Sequence, residues 1–120
     1  MNNRDKLVIK KILSEIEVIE QLVTGFDVAG FIADERTKRA VCMTLINVGE
    51  LVKNLSDDFK AVSTAVPWKS IAGMRDITAH KYQAIKMGDV WLTAKQDMPV
   101  LKAQMESIVE RESRKQSPEK

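Results

Sequence analysis

Apolar residues recur along this chain at alternating steps of three and four, beginning within its first ten positions. Ile9, Ile12, Ile16, Ile19 and Val23 are spaced 3, 4, 3 and 4, which sets them in one stripe along a helix. The pattern predicts a first helix from about Asn3 to Val23, ended by Gly25 as a left-handed cap. Asp27 can cap a short turn carrying Val28, Phe31 and Ile32. Asp34 or Thr37 then opens a long helix reaching about Leu55, with Val41, Leu45, Val48, Val52 and Leu55 spaced 4, 3, 4 and 3. Asn47 and Glu50 are polar positions in that run, facing either a site or its solvated flank.

Ser56 or Asp57 caps a short helix that gives way at Val66-Pro67, since the residue before proline avoids helical angles. Pro67 suits the first turn of the next helix. There Trp68, Ile71, Met74 and Ile77 follow at steps of three and pack inward, and Gly73 permits close approach of another helix. Positions 81–88 read as a loop. Asp89 caps a last helix whose stripe is Trp91, Met98, Leu101, Met105 and Ile108. Pro99 must kink or interrupt that helix, because its ring clashes with the carbonyl four residues back. From Arg111 to Lys120 no hydrophobic residue occurs, so this polar tail should fray. The expectation is an all-α domain over 1–110, an antiparallel bundle of four to five helices.

Composition narrows the function more than the fold. With 120 residues, 44% of them hydrophobic and 30% charged, the chain suits one globular core. A net charge of +2 does not by itself announce nucleic-acid binding, so a nuclease would need a local patch. Arg36, Lys38 and Arg39 form such a group. They read either as phosphate contacts or as a solvated helix face. The single cysteine, Cys42, excludes an intramolecular disulfide, fits a reducing cytoplasm and reads as core packing. No apolar run is long enough to span a membrane, and the N-terminus lacks the apolar run of a signal peptide. One histidine and one cysteine make a protein-built metal site improbable. No phosphate-binding loop or dinucleotide fingerprint occurs, so no cofactor is expected.

Chemistry concentrates in Arg75-Asp76-Ile77-Thr78-Ala79-His80-Lys81-Tyr82, which contains the chain's one histidine and one tyrosine. Imidazole moves protons near neutral pH, and guanidinium is a permanent planar cation suited to phosphate oxygens. On a regular helix Asp76 and His80 are i,i+4 neighbours. Arg75 and Tyr82 then stack two turns apart, and Arg75 and His80 point about 140° apart. A pocket around both groups therefore requires a second subunit or a loosening of the helix near His80. A lone histidine on a helix is, without further context, usually an ordinary surface residue.

The segment reads R-x-x-x-x-H-x-Y, and Pro67-Trp68-Lys69-Ser70-Ile71-Ala72-Gly73-Met74 supplies a P-W-x-x-I-A-G-M lead-in. With Ile46-Asn47-Val48-Gly49-Glu50 upstream and Val90-Trp91 and Asp97-Met98-Pro99-Val100-Leu101 downstream, the chain resembles the HEPN superfamily. The likeness is to its HepT-like branch, the toxin half of MNT–HepT toxin–antitoxin pairs, over about Asp5 to Glu110. The resemblance implies a homodimeric, metal-independent endoribonuclease, with the motif segments of two subunits facing each other. His80 would be general base or acid at a ribose 2′-hydroxyl, Arg75 would hold the scissile phosphate, and Asp76 would orient His80. Tyr82 matches the tyrosine to which a nucleotidyltransferase antitoxin attaches AMP. Lys81 stands where relatives often carry an acidic residue, and Gln83 where they carry an aromatic one. The rival expectation is a non-catalytic module that binds nucleotide or a nucleotidyltransferase through the same groove.

Overall fold

The computed structural model describes residues 1–77 and 79–115; the side chains of Ala79, His80 and Lys115 lie outside that description. Helix α1 spans Asn3–Val23, at the bounds its stripe predicts. Asn2 caps it, its side chain accepting from the Asp5 N–H at 2.7 Å, which satisfies one orphan donor of the first turn. At the other end the chain turns through Gly25 at φ 86°, a left-handed angle that glycine adopts without penalty. Helix α2, Val28–Ala33, starts on the Asp27 carboxylate, which accepts from Gly30 N at 2.7 Å. Asp34 does the same for α3, Glu35–Lys53, accepting from Thr37 N at 3.1 Å.

The bundle is organised around α1. Ile9, Ile12, Ile16 and Ile19 are fully buried, against Val41, Leu45, Val48 and Val52 of α3 and Met98, Leu101 and Met105 of the last helix. Each such side chain contributes about 1.5–3 kcal/mol by leaving water. Polar pairs fix the directions. Asp5 meets Ser56 and Glu15 meets Asn47, so α1 and α3 are antiparallel. Glu20 meets Lys102 and the Met1 ammonium meets Glu112, so α1 and the last helix are antiparallel as well. Among the described residues there is no strand, and no helix is long and apolar enough to cross a membrane.

One buried carboxylate stitches α1 to the chain beyond α3. Asp5 is 1% exposed and accepts from the Ser56 N–H at 2.9 Å and the Ser56 hydroxyl at 2.7 Å. The Ser56 Oγ in turn accepts from Phe59 N at 3.1 Å, capping α4, Asp57–Ala61. Pro67 precedes α5, Trp68–Ala72, as its cap residue, one position earlier than the first-turn place expected for it. Trp68 packs on Phe59 with ring centroids 5.8 Å apart and donates its indole N–H to the Ser63 carbonyl at 3.0 Å.

Three expectations change beyond this point. First, the segment after α5 is not one continuous helix. Gly73–Asp76 is a 3-10 turn. Ile77 is extended at φ −75° and ψ 91°, and helix resumes only as α6, Ala79–Tyr82. The eclipsed side chains and poorer bonds of 3-10 geometry make such turns short. Second, the glycine that permits close approach is Gly49, not Gly73. A Cβ at Gly49 would lie 2.6 Å from the Arg75 backbone nitrogen and 3.1 Å from the Ala72 carbonyl oxygen, whereas one at Gly73 would meet nothing within 4 Å. Third, the next helix begins before Asp89. It is α7, Met87–Leu92, with Lys86 at its cap position and Asp89 inside its first turn.

Pro99 interrupts the last helix in a specific way. A π turn spans Thr93–Asp97 before α8 runs from Met98 to Lys115. Proline has no N–H to continue the α pattern, and the Met98 N–H bonds back to the Thr93 carbonyl, the i→i+5 pairing of a π turn. The buried positions Val90, Ala94 and Met98 run through the turn and stay on the core side. Trp91 beside them packs on Phe31, the rings tilted by 43° with centroids 5.3 Å apart. Residues 111–115 are helical, so the fraying expected from Arg111 is absent there. Residues 116–120 lie outside the described structure.

Candidate functional site

Helix α3 is the platform on which the motif residues rest. Arg75 sits in the 3-10 turn with its backbone pressed onto Gly49. The contact fixes where the guanidinium leaves the surface while 41% of that side chain stays exposed. Its Nη1 lies 3.9 Å from Glu50 Oε2, a long ion pair that holds the group loosely. Asp76 follows, exposed, at the end of the turn. The extended Ile77 donates its N–H to the Met74 carbonyl at 3.2 Å. His80 belongs to α6; its side chain and Thr78 lie outside the described residues.

Tyr82 closes the segment at the opposite end of α3. Its hydroxyl donates to Glu35 Oε2 at 2.7 Å, and its ring lies under the Arg39 guanidinium, 4.7 Å from the centroid. Arg75 thus rests beside Gly49 and Tyr82 beside Arg39, ten α3 positions apart, or roughly 15 Å along that axis. The two-turn stacking of Arg75 on Tyr82, and the i,i+4 relation of Asp76 to His80, both require a regular helix. The break at Ile77 removes that regularity. The loosening near His80 that a pocket demands is present instead.

The predicted cationic group divides. Lys38 Nζ lies 3.1 Å from Glu35 Oε1, and Arg39 Nε lies 2.7 Å from Glu35 Oε2. Arg36 is exposed. Glu35, which the residue pattern did not single out, is therefore a hub, with both oxygens engaged by two cations and a phenol. The Tyr82 hydrogen bond, then Lys38, pulls its carboxyl below the ordinary value. Tyr82 moves the other way: burial, then the bond to Glu35 and its charge, pushes the phenol up to about 12. The i,i+3 and i,i+4 spacing of Glu35 to Lys38 and Arg39 is readable in sequence. Its link to Tyr82, 47 positions away, is not.

Asn47 and Glu50 point to the same side of α3. Asn47 Nδ2 donates to Glu15 at 3.0 Å, and both line a shallow groove with Lys11, Ser14 and Leu51. Cys42 is buried in the core, and burial raises its thiol pKa. Both facts make it inert as a nucleophile.

An all-helical bundle that sets arginine, carboxylate and phenol along one helix, around a broken motif turn, is the architecture of a small helical domain with an exposed polar site. The match to known proteins is specific: the model of the ribonuclease HepT-like family fits residues 12–108. The chain belongs to that family, within the HEPN superfamily. Over 108 residues it is 33% identical to "Probable ribonuclease HepT" of Thermococcus cleftensis, covering 90% of this chain and 98% of the relative. It is 36% identical over 104 residues to "Putative RNase TTE0752" of Caldanaerobacter subterraneus subsp. tengcongensis, covering 87% and 93% of the two chains. No solved structure matches.

Proposed function

We propose that this chain is a metal-independent endoribonuclease that acts as a homodimer in the cytoplasm. In this reading it is the toxin of a type VII toxin–antitoxin module. The ribose 2′-hydroxyl attacks the adjacent phosphorus, the 5′-oxygen leaves, and a cyclic phosphate remains. His80 moves the proton in that step, as imidazole does near neutral pH. Arg75 holds the phosphate and offsets the charge that grows on it, the role of a preplaced cation. Asp76 orients His80, and Arg36 contacts RNA phosphate outside the scissile bond. A second copy of the chain supplies the facing wall. A nucleotidyltransferase antitoxin silences the enzyme by attaching AMP to Tyr82.

The observation that supports this reading most is the seat of Arg75. A glycine contact locks its backbone while its guanidinium stays exposed and loosely paired, near the interruption of helix at Ile77. The family's ribonuclease relatives support the substrate class. The test is RNA cleavage in the presence of a chelator, with sedimentation to measure the dimer. Wild type cuts, and His80→Ala and Arg75→Ala do not. Equal cleavage by wild type and His80→Ala would remove the histidine from the mechanism.

A further inference from the structure

We infer that Glu35 is the proton acceptor for group transfer onto Tyr82, and that Lys38 and Arg39, which it now holds, take the phosphodiester that results. The inference rests on the proposed nucleotidylation of Tyr82. It adds the side chains that make a phenol in this place reactive and keep its product bound.

Tyr82 Oη attacks the α-phosphorus of a nucleoside triphosphate, and a new P–O bond forms. The bond from that phosphorus to the bridging oxygen breaks, and pyrophosphate leaves with the electron pair. The phenol proton passes to Glu35 Oε2, already its hydrogen-bond partner at 2.7 Å. A weak oxygen nucleophile is activated by a base at this distance. The acceptor and the neighbouring cation are open to an incoming enzyme, with the Glu35 and Arg39 side chains 54% and 61% exposed, and Tyr82 is half-buried beside them.

Charge explains why the resting cluster is quiet and how it becomes reactive. Lys38 and Arg39 sit on the Glu35 carboxylate and, with the Tyr82 bond, keep it a poor base. Burial, and then the bond to Glu35, make the phenol reluctant to ionise. An arriving triphosphate offers the two cations a second anion, and a guanidinium fork matches two phosphate oxygens. As they turn to it, Glu35 loses the charges that hold its proton affinity down, at the moment the proton must move. After transfer Oη carries no hydrogen, so its bond to Glu35 is gone. Once the exposed Glu35 has released that proton to solvent, the new phosphodiester is repelled by its carboxylate and drawn to Arg39 and Lys38.

The experiment labels the full chain with α-³²P-ATP and an MNT-type nucleotidyltransferase. Wild type takes label, Tyr82→Phe takes none, and Glu35→Gln takes it at least tenfold more slowly. That loss falls in kcat, while KM for the chain stays within about twofold. No label on wild type removes the tyrosine reading and this inference with it. Equal labelling of wild type and Glu35→Gln, with Tyr82→Phe blank, overturns the inference alone. A second measurement needs no partner enzyme, because Tyr82 is the one tyrosine in the chain. Phenolate absorbance should rise with a midpoint of about 12 in wild type and move toward the ordinary value of about 10 in Glu35→Gln. An unchanged midpoint would show the phenol and carboxylate to be unengaged, and the inference would fail.

Discussion

Substituting Gly49 by alanine tests whether the site depends on the contact between α3 and the 3-10 turn. The added Cβ would lie 2.6 Å from the Arg75 nitrogen, 3.1 Å from the Ala72 oxygen and 3.2 Å from the Ile71 oxygen. All three are backbone atoms, so no side chain can swing aside. Ordinary contact begins at 3.4 Å, so the turn must retreat by about 0.8 Å along the closest approach. Two energies oppose each other. Overpacking of this kind costs about 1–3 kcal/mol, whereas alanine gains about 1 kcal/mol over glycine inside a helix. The net is a loss of about 0–2 kcal/mol, read as a small fall in the urea midpoint. Function is more sensitive than stability, because misplacing a catalytic group by about 1 Å can cost about 100-fold in rate. Gly49→Ala should therefore cleave RNA about 10- to 100-fold more slowly while remaining folded. Gly73→Ala is the control: its Cβ meets nothing within 4 Å and its backbone is already helical. It should keep full activity and gain about 0.4–1 kcal/mol. If Gly49→Ala is more stable than wild type and cleaves at the wild-type rate, the close approach does not position Arg75.

Three further outcomes follow from contacts described above. Asp5→Ala strips the acceptor from both the Ser56 N–H and its hydroxyl, and should cost about 2–3 kcal/mol in urea unfolding. Tyr82 is held neutral in the folded chain up to about 12, while an unfolded phenol ionises near about 10. Its contribution to stability is therefore complete below about pH 10 and lost as pH climbs through 12. Thermal melts across that window should fall more steeply for wild type than for Tyr82→Phe. Arg75→Lys keeps the charge but loses the planar fork, and should lower kcat for RNA cleavage at least tenfold with an unchanged melting temperature.

Much of the bundle was legible because its information is local. The stripes of α1 and α3 and the caps at Asp27, Asp34 and Ser56 each depend on residues within a turn of one another, and all are where the pattern puts them. Pro99 likewise announces an interruption, although its form as a π turn depends on which carbonyl the Met98 N–H finds. The break at Ile77 was not legible. No proline or glycine follows Met74 until Gly88, and residues 75–80 read as ordinary helix. The turn tightens where it packs against Gly49, a contact made across the fold. Gly73 and Gly49 look equally suited to a close approach in one dimension, and only the packing of α5 on α3 distinguishes them. The same limit applies to Glu35. Its pairing with Lys38 and Arg39 is written in their spacing, but its hold on Tyr82 exists only once α6 returns to the start of α3.

The π turn makes the length of residues 93–97 a matter of register for everything after it. Deleting any one of these residues would let ordinary α geometry close across the gap. Because a π turn holds one residue more than an α turn at nearly the same rotation, Met98, Leu101, Met105 and Ile108 would still face α1. Inserting a residue would instead turn them about 100° around the axis, away from α1. Gaining one codon here is therefore far more disruptive than losing one, although the segment lies distant in sequence from both Arg75 and Glu35.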